Sequence, residues 1–216
     1  MNITRSLAAH KSDLSVFTVW LFVLSALIGI ALGYVSWFIP KTPLNLALGA
    51  ALLIINFPTA NIKFWFVWIF AFLTGMIVEI LGVETGVIFG EYYYGDNLGA
   101  KFMGVPYLIG VYWAVLAFIC AFIGKRLINS NLGGALLGAV LMVGLDFFME
   151  QRASAFDFWH FKGNIVPIQN YITWYVVGFG LQYLVLTQVK VGDFRYSLHL
   201  YLSQLVFFIG CLLLLE

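Results

Sequence analysis

Three carboxylic acids stand at the edges of apolar runs where a chain of this composition has little reason to keep them: Glu79, Asp146 and Glu150. Asp146 and Glu150 are four residues apart, so on a helix they share one face. A carboxylate inside a membrane span costs about 2.5–3.5 kcal/mol on insertion scales, which makes such residues functional candidates by default. The chemistry they offer is proton transfer. A partly desolvated carboxyl can keep its proton near neutral pH and hand it to a reacting atom, while a second carboxylate takes one away. The competing reading is hydration at an interface, or pairing with Lys101, Arg152 or Lys162.

Around these acids the polar residues gather into two islands. The first, Glu79 to Trp113, adds Glu84, Glu91 and Asp96, the triplet Tyr92-Tyr93-Tyr94, several glycines and Pro106. Gly86 and Gly90 allow a positive φ or a close backbone approach there. Glu91 and Asp96 are explained by loop solvation, and the tyrosines by an interfacial aromatic belt. Their functional alternative is a wall of ring faces beside an apolar substrate or a developing cation. The second island, Asp146 to Trp174, repeats the pattern with Phe156, Phe158, Trp159, His160, Phe161, Asn164 and Asn170. A lone histidine such as His160 is more often a hydrogen-bonding interfacial residue than a catalyst.

The elements that must position these islands are membrane spans. The chain is 62% hydrophobic and 10% charged, against about 25% charged in ordinary soluble domains. Apolar segments fall at 16–36, 43–58, 62–81, 105–123, 132–150, 167–187 and 196–215, and a helix needs about 20 apolar residues to cross the hydrocarbon core. The second is short and bounded by Pro43 and Pro58, so a re-entrant or tilted segment is its alternative. The expected fold is an all-α polytopic transmembrane bundle of about seven spans, forming one domain over residues 1–216 in the cell membrane. Lys/Arg placement favours a cytoplasmic N-terminus, with Arg5, Lys11, Lys63, Lys125, Arg126, Lys190 and Arg195 inside against Lys41, Lys101, Arg152 and Lys162 outside. Loops 82–104 and 151–166 are separated by two crossings, so both islands must lie on one membrane face. That places Glu79 and Asp146 each about one turn from a span end. In the fifth span, Gly134 and Gly138 form a small-xxx-small pattern suited to close helix packing.

Absences narrow the chemistry. The three histidines, His10, His160 and His199, do not make the clusters of a membrane di-iron enzyme. There is no Gly-rich phosphate loop, Cys-rich metal pattern or nucleophile elbow, and no acidic cluster for a magnesium-bound diphosphate. Cys120 and Cys211 fall in apolar runs, where free cysteine packs as a small hydrophobe. A net charge of +1 gives no footprint for nucleic acid. Acid–base chemistry on a lipid-soluble molecule remains, or transport.

Through Glu79-x-x-Gly82, Thr85-Gly86, Phe89-Gly90, Tyr92, Tyr94, Leu98-Gly99, Gly104-Val105-Pro106 and Trp113, the chain resembles the integral-membrane carotenoid-biosynthesis proteins that include γ-carotene 1′,2′-hydratase and bisanhydrobacterioruberin hydratase. The likeness resumes at Asp146, Trp159, Gly163-Asn164, Val166-Pro167, Asn170 and Trp174. It departs at Glu150-Gln151, where the family pattern has Asp-Pro. The resemblance implies addition of water to the terminal double bond of an acyclic carotenoid end group, giving a tertiary alcohol. It implies no metal, nucleotide or redox cofactor, with the carotenoid and membrane lipid as partners. Their shared face and depth make Asp146 and Glu79 the expected acid/base pair, with Glu84 and Glu150 as supporting carboxylates. Tyr92, Tyr94, Trp113, Trp159, Asn164, Asn170 and Trp174 would then contact substrate. The rivals are a carotenoid- or lipid-handling protein or small transporter without catalysis, and an end-group cyclase or isomerase.

Overall fold

The computed structural model describes residues 3–215, with side chains from His10 onward, so the Arg5 cation counted above lies outside the described side chains. Its order is α1 (Ile3–Ala31), a one-turn α2 (Val35–Phe38) running through a 3-10 turn into α3 (Thr42–Asn56), then α4 (Ile62–Thr85). Short strands β1 (Tyr92–Tyr94), β2 (Lys101–Phe102) and β3 (Val105–Pro106) precede α5 (Tyr107–Leu127) and α6 (Asn131–Ala153). Strand β4 (Trp159–Phe161), α7 (Ile168–Gln188) and α8 (Phe194–Leu214) complete it. The architecture is an all-α polytopic bundle. Among the described residues six helical stretches are long and apolar enough to cross a membrane, α7 being the long helix outside that set. α7 matches the others in length but carries Gln169, Asn170 and Gln182, and it buries Asn170 and Gln182 inside the bundle.

The helices obey local rules. Asn61 caps α4 by accepting from the Lys63 amide at 3.0 Å, Ser130 caps α6 through the Gly133 amide at 2.9 Å, and Asp193 caps α8 through the Tyr196 amide at 2.9 Å. α4 ends at Gly86, whose φ of +66° is the left-handed stop that glycine adopts freely. α5 is the central helix, with every residue from Tyr112 to Gly124 buried. Gly134 and Gly138 of α6 pack against it as their spacing implies. A Cβ on Gly134 would meet the Lys125 backbone at 2.8 Å, and one on Gly138 would meet Cys120 O at 2.7 Å and Gln182 Oε1 at 1.9 Å.

The first two spans are bounded differently from the sequence reading. The first span ends at Ala31, not residue 36, because the chain turns at Gly33, where φ is +88°. The second apolar stretch then runs from Val35 to Asn56, and its Pro43 lies in the first turn of α3, where proline is tolerated.

The strands were not foreseen. β1 pairs antiparallel with β4, setting Tyr92 against Phe161, Tyr93 against His160 and Tyr94 against Trp159. The two islands therefore meet directly. Strand period 2 buries Tyr92 and Tyr94 while Tyr93 stays exposed, stacked on His160 at 4.9 Å between ring centroids. Aromatic runs favour a pleated, half-buried surface, and Tyr92–Tyr94 opposite Trp159–Phe161 was the available signal. The ends of the ribbon are tied by Asp157, which accepts from the Asp96 amide at 2.8 Å and contacts His160 Nε2 at 2.9 Å.

Candidate active site

Glu79 and Asp146 lie deeper than their span boundaries implied, because α4 continues to Thr85 and α6 to Ala153. Each stands nearly two turns inside its helix, and both are buried. The ribbon folds over this level. Tyr92 Oη and Tyr94 Oη donate to Glu79 Oε2 at 2.5 and 2.7 Å. Trp113 Nε1, from α5, donates to Glu79 Oε1 at 2.8 Å, and its indole stacks on Trp174 of α7 with centroids 4.4 Å apart. An indole N–H can only donate, so Glu79 Oε1 is fixed as an acceptor. Burial, and after it the neighbouring Glu79, push the Tyr92 and Tyr94 phenols above their ordinary value, so both remain protonated donors at any physiological pH.

The second half of the cluster is bridged by one amide. Asn170 Nδ2 stands 2.9 Å from Asp146 Oδ2 and 3.3 Å from Glu150 Oε1, while Glu150 Oε2 accepts from Trp159 Nε1 at 2.8 Å. Asp146 Oδ1 is buried and has no hydrogen-bond partner. Of the three acids it carries the one carboxyl oxygen left over.

None of the three is neutralised by a cation among the described ion pairs. Lys101 pairs with Asp96 at 2.8 Å, Lys162 with Glu91 at 2.6 Å, and Arg195 with Asp13. Arg152 donates to Leu212 O at 3.2 Å. The bland reading that lysines or arginines silence these acids is thereby removed, and Glu91 and Asp96 are accounted for as solvated partners. Among the described residues no group of three or more His, Cys, Asp or Glu is disposed to hold a metal ion.

Glu79 and Glu150 border a small cavity of about 20 Å³, lined also by Tyr92, Tyr94, Asn170 and Trp174 among others. A water needs about 10–15 Å³ of such space, so this volume suits water and not an end group. Beside it opens a far larger apolar cavity of about 480 Å³, within the usual range for ligand pockets of about 300–1,000 Å³. Ile109, Tyr112, Met149 and Trp159 line both.

Of the residues expected from sequence, Glu79, Asp146, Glu150, Tyr92, Tyr94, Trp113, Trp159, Asn170 and Trp174 are thus brought together. Glu84 and Asn164 are not. Both are exposed, Glu84 on the outer face of the last turn of α4 and Asn164 at a positive φ of 56° in the turn after β4. Asp146 belongs to the cluster but does not line the cavity. Residues missed include Tyr112 and Gln204, whose side chains bond at 2.5 Å, and Met149, whose Sδ is 3.2 Å from Tyr112 Oη. Gln204 was legible in principle, since a glutamine inside an apolar span needs a partner.

A multi-pass membrane protein with two buried carboxyls and a third half-buried one, none of them ion-paired among the described residues, beside an apolar cavity is the class that fold and site define. The sequence matches the family described as "Carotenoid biosynthesis protein" over residues 41–216. The chain belongs to that family. It is also similar to a bisanhydrobacterioruberin hydratase from Haloarcula japonica, at 32% identity over 113 residues, which are 47% of this chain and 37% of the relative. The chain thus spans well under half the length of that relative. No solved structure matches.

Proposed function

We propose that this protein is an enzyme that hydrates the terminal C=C bond of an acyclic carotenoid end group, by carboxyl acid/base catalysis and without a cofactor. The observation that carries the reading is the junction at Trp159 and Met149, where a water-sized carboxyl pocket adjoins a large apolar cavity. Alkene and water could reach the same point from opposite sides. An end-group cyclase would need to keep water out of the place where the acids stand, and Glu79 and Glu150 around a water-sized space favour hydration.

In this reading Glu150, next to Trp159, gives its proton to the less substituted alkene carbon, forming a C–H bond and leaving a tertiary cation. The faces of Trp159 and the buried tyrosines shelter the cation. A water in the small pocket forms the C–O bond, and its surplus proton passes to Glu79. The net change is one water added across one double bond, and the cycle closes when Glu79 releases its proton and Glu150 takes one up by exchange with solvent. Asp146, behind Asn170, holds Glu150 in place and shares the burden of charge within the pair. The expected pairing of Asp146 with Glu79 is accordingly revised, since Glu150 faces the cavity and Asp146 does not.

The test is expression in a host that accumulates a carotenoid with an acyclic end, with pigments separated and weighed by mass spectrometry. The wild type should add one water's mass. Glu150→Gln and Glu79→Gln should each lower the yield about 10²–10⁴-fold, the range for loss of a general acid or base. A product of unchanged mass in the wild type, or full yield from both variants, would refute the assignment.

A further inference from the structure

The family match begins at residue 41, yet one wall of the large apolar cavity is built from what precedes it. Leu21, Phe22 and Ala26 of α1 and Trp37 and Phe38 of α2 line it, opposite Phe207 and Phe208 of α8. The reactive end of the same cavity, at Met149 and Trp159, lies inside the matched region. The acids and the wall that shapes the space beside them thus come from different parts of the chain.

That wall is held in a defined shape. The chain reverses at Gly33, where Tyr34 N donates to Gly29 O at 2.9 Å, and the Phe38 ring packs closely against Gly29. A Cβ at Gly29 would fall 1.7 Å from Phe38 Cε2, so this approach exists only with glycine. Lys41 closes the elbow, with Nζ 2.8 Å from Trp37 O and 3.4 Å from the centre of the Trp37 ring. The rim is lipid-facing in character, with Leu21, Phe22, Trp37 and Leu44 all exposed large hydrophobics. A molecule in the cavity can therefore extend sideways between α1 and α3.

We propose that α1 and the α2 elbow are the specificity element of this enzyme, seating the unreacted part of a linear polyene so that only its terminal alkene reaches Glu150. The inference rests on the hydratase reading for its reaction but not for its binding claim. The occupant is an extended, slender isoprenoid chain, because the lining is almost wholly apolar and the cavity shares Ile109, Tyr112, Met149 and Trp159 with the carboxyl pocket.

The test uses the full-length protein in detergent with two probes that share the same terminal trisubstituted alkene, a full-length acyclic carotenoid and a short acyclic isoprenoid. Ser25→Phe and Ala26→Phe add bulk to this wall, far in sequence from the acids; Ser25 is exposed, so its variant should fold even where Ala26→Phe does not. The ratio of short to long product should rise about tenfold or more, as for a changed apolar subsite, and retention of the carotenoid through purification should fall. Glu79→Gln should retain the carotenoid like the wild type. If the wild type hydrates neither probe, the hydratase reading fails, while retention still decides the seat. Unchanged ratio and unchanged retention in Ser25→Phe would overturn the proposal.

Discussion

Asn170 Nδ2 donates to Asp146 Oδ2 across 2.9 Å, joining α7 to α6 at the level of the ribbon. The same nitrogen reaches Glu150, so a single side chain holds the buried Asp146 and the half-buried Glu150 in register. Asn170→Ala would leave both without this donor. Unpaired buried polar groups cost about 1–3 kcal/mol each, and a lower melting temperature together with loss of product is expected. Asn170→Asp should be worse, because it places a third carboxyl where the donor stood. A variant as stable and active as the wild type, judged by thermal unfolding and pigment analysis, would show the bridge to be idle.

Trp113 separates the two duties of an aromatic residue. Trp113→Phe keeps a ring against Trp174 but removes the donor to Glu79 Oε1. Its expected cost is about 1–3 kcal/mol in stability, with a large fall in turnover as Glu79 loses its anchor. Trp113→Ala also opens a cavity, and about 3–5 kcal/mol is expected. Comparing the two variants by thermal unfolding and by product yield tells anchoring from filling.

The ribbon should loosen in acid. The contact with His160, and after it the Asp96 amide, holds the Asp157 carboxyl below its ordinary value of 3.8. A lowered folded value means that folding favours the ionised form. That contribution is complete above the ordinary aspartate value and disappears as pH falls through the lowered one. Asp157 is half exposed, so the effect is local. Hydrogen-exchange protection of the Gly95 and Asp96 amides should fall as pH drops below 3.8, and in Asp157→Ala it should be low already and lose this acid step. Wild-type protection that is flat across the same range would refute it.

Gly138 tests the packing that sets the helices at their distances. Alanine there must displace the Cys120 carbonyl and Gln182, and overpacking of this kind costs about 1–3 kcal/mol. Gly180, with nothing near its Cβ, is the control position. Comparable melting temperatures for Gly138→Ala and Gly180→Ala would remove the argument.

Much of this arrangement was legible before any coordinates. Counting two crossings between the loops was enough to put Glu79 and Asp146 on one face, because topology alone forces it. The family resemblance picked out Tyr92, Tyr94, Trp113, Trp159, Asn170 and Trp174, and each has a place in or directly against the carboxyl cluster. The depth of the acids was misjudged because apolar runs mark where hydrophobicity ends, while α4 and α6 continue through polar residues to Thr85 and Ala153. Asn164 and Glu84 matched the expected residue types but stand on outward faces, a distinction that spacing within a loop does not carry. The β1–β4 pairing stayed hidden because strands of three residues leave almost no periodic signal, and their partner choice depends on contacts between distant segments. The apolar cavity was invisible for a similar reason, being bounded by α1, α3, α5, α6 and α8 together.

The ribbon has a consequence for biosynthesis of the molecule itself. β1 leaves the ribosome with Tyr92–Tyr94, but its partner arrives only with Trp159–Phe161, after α5 and α6 have been made. Until then Glu79 can have its tyrosines but Glu150 cannot have Trp159, and the space between them is open on one side. The site is therefore finished late in translation, when two helical hairpins already in the membrane are stitched together above it. A nascent chain carries Glu79 long before it carries the enclosure that makes it useful.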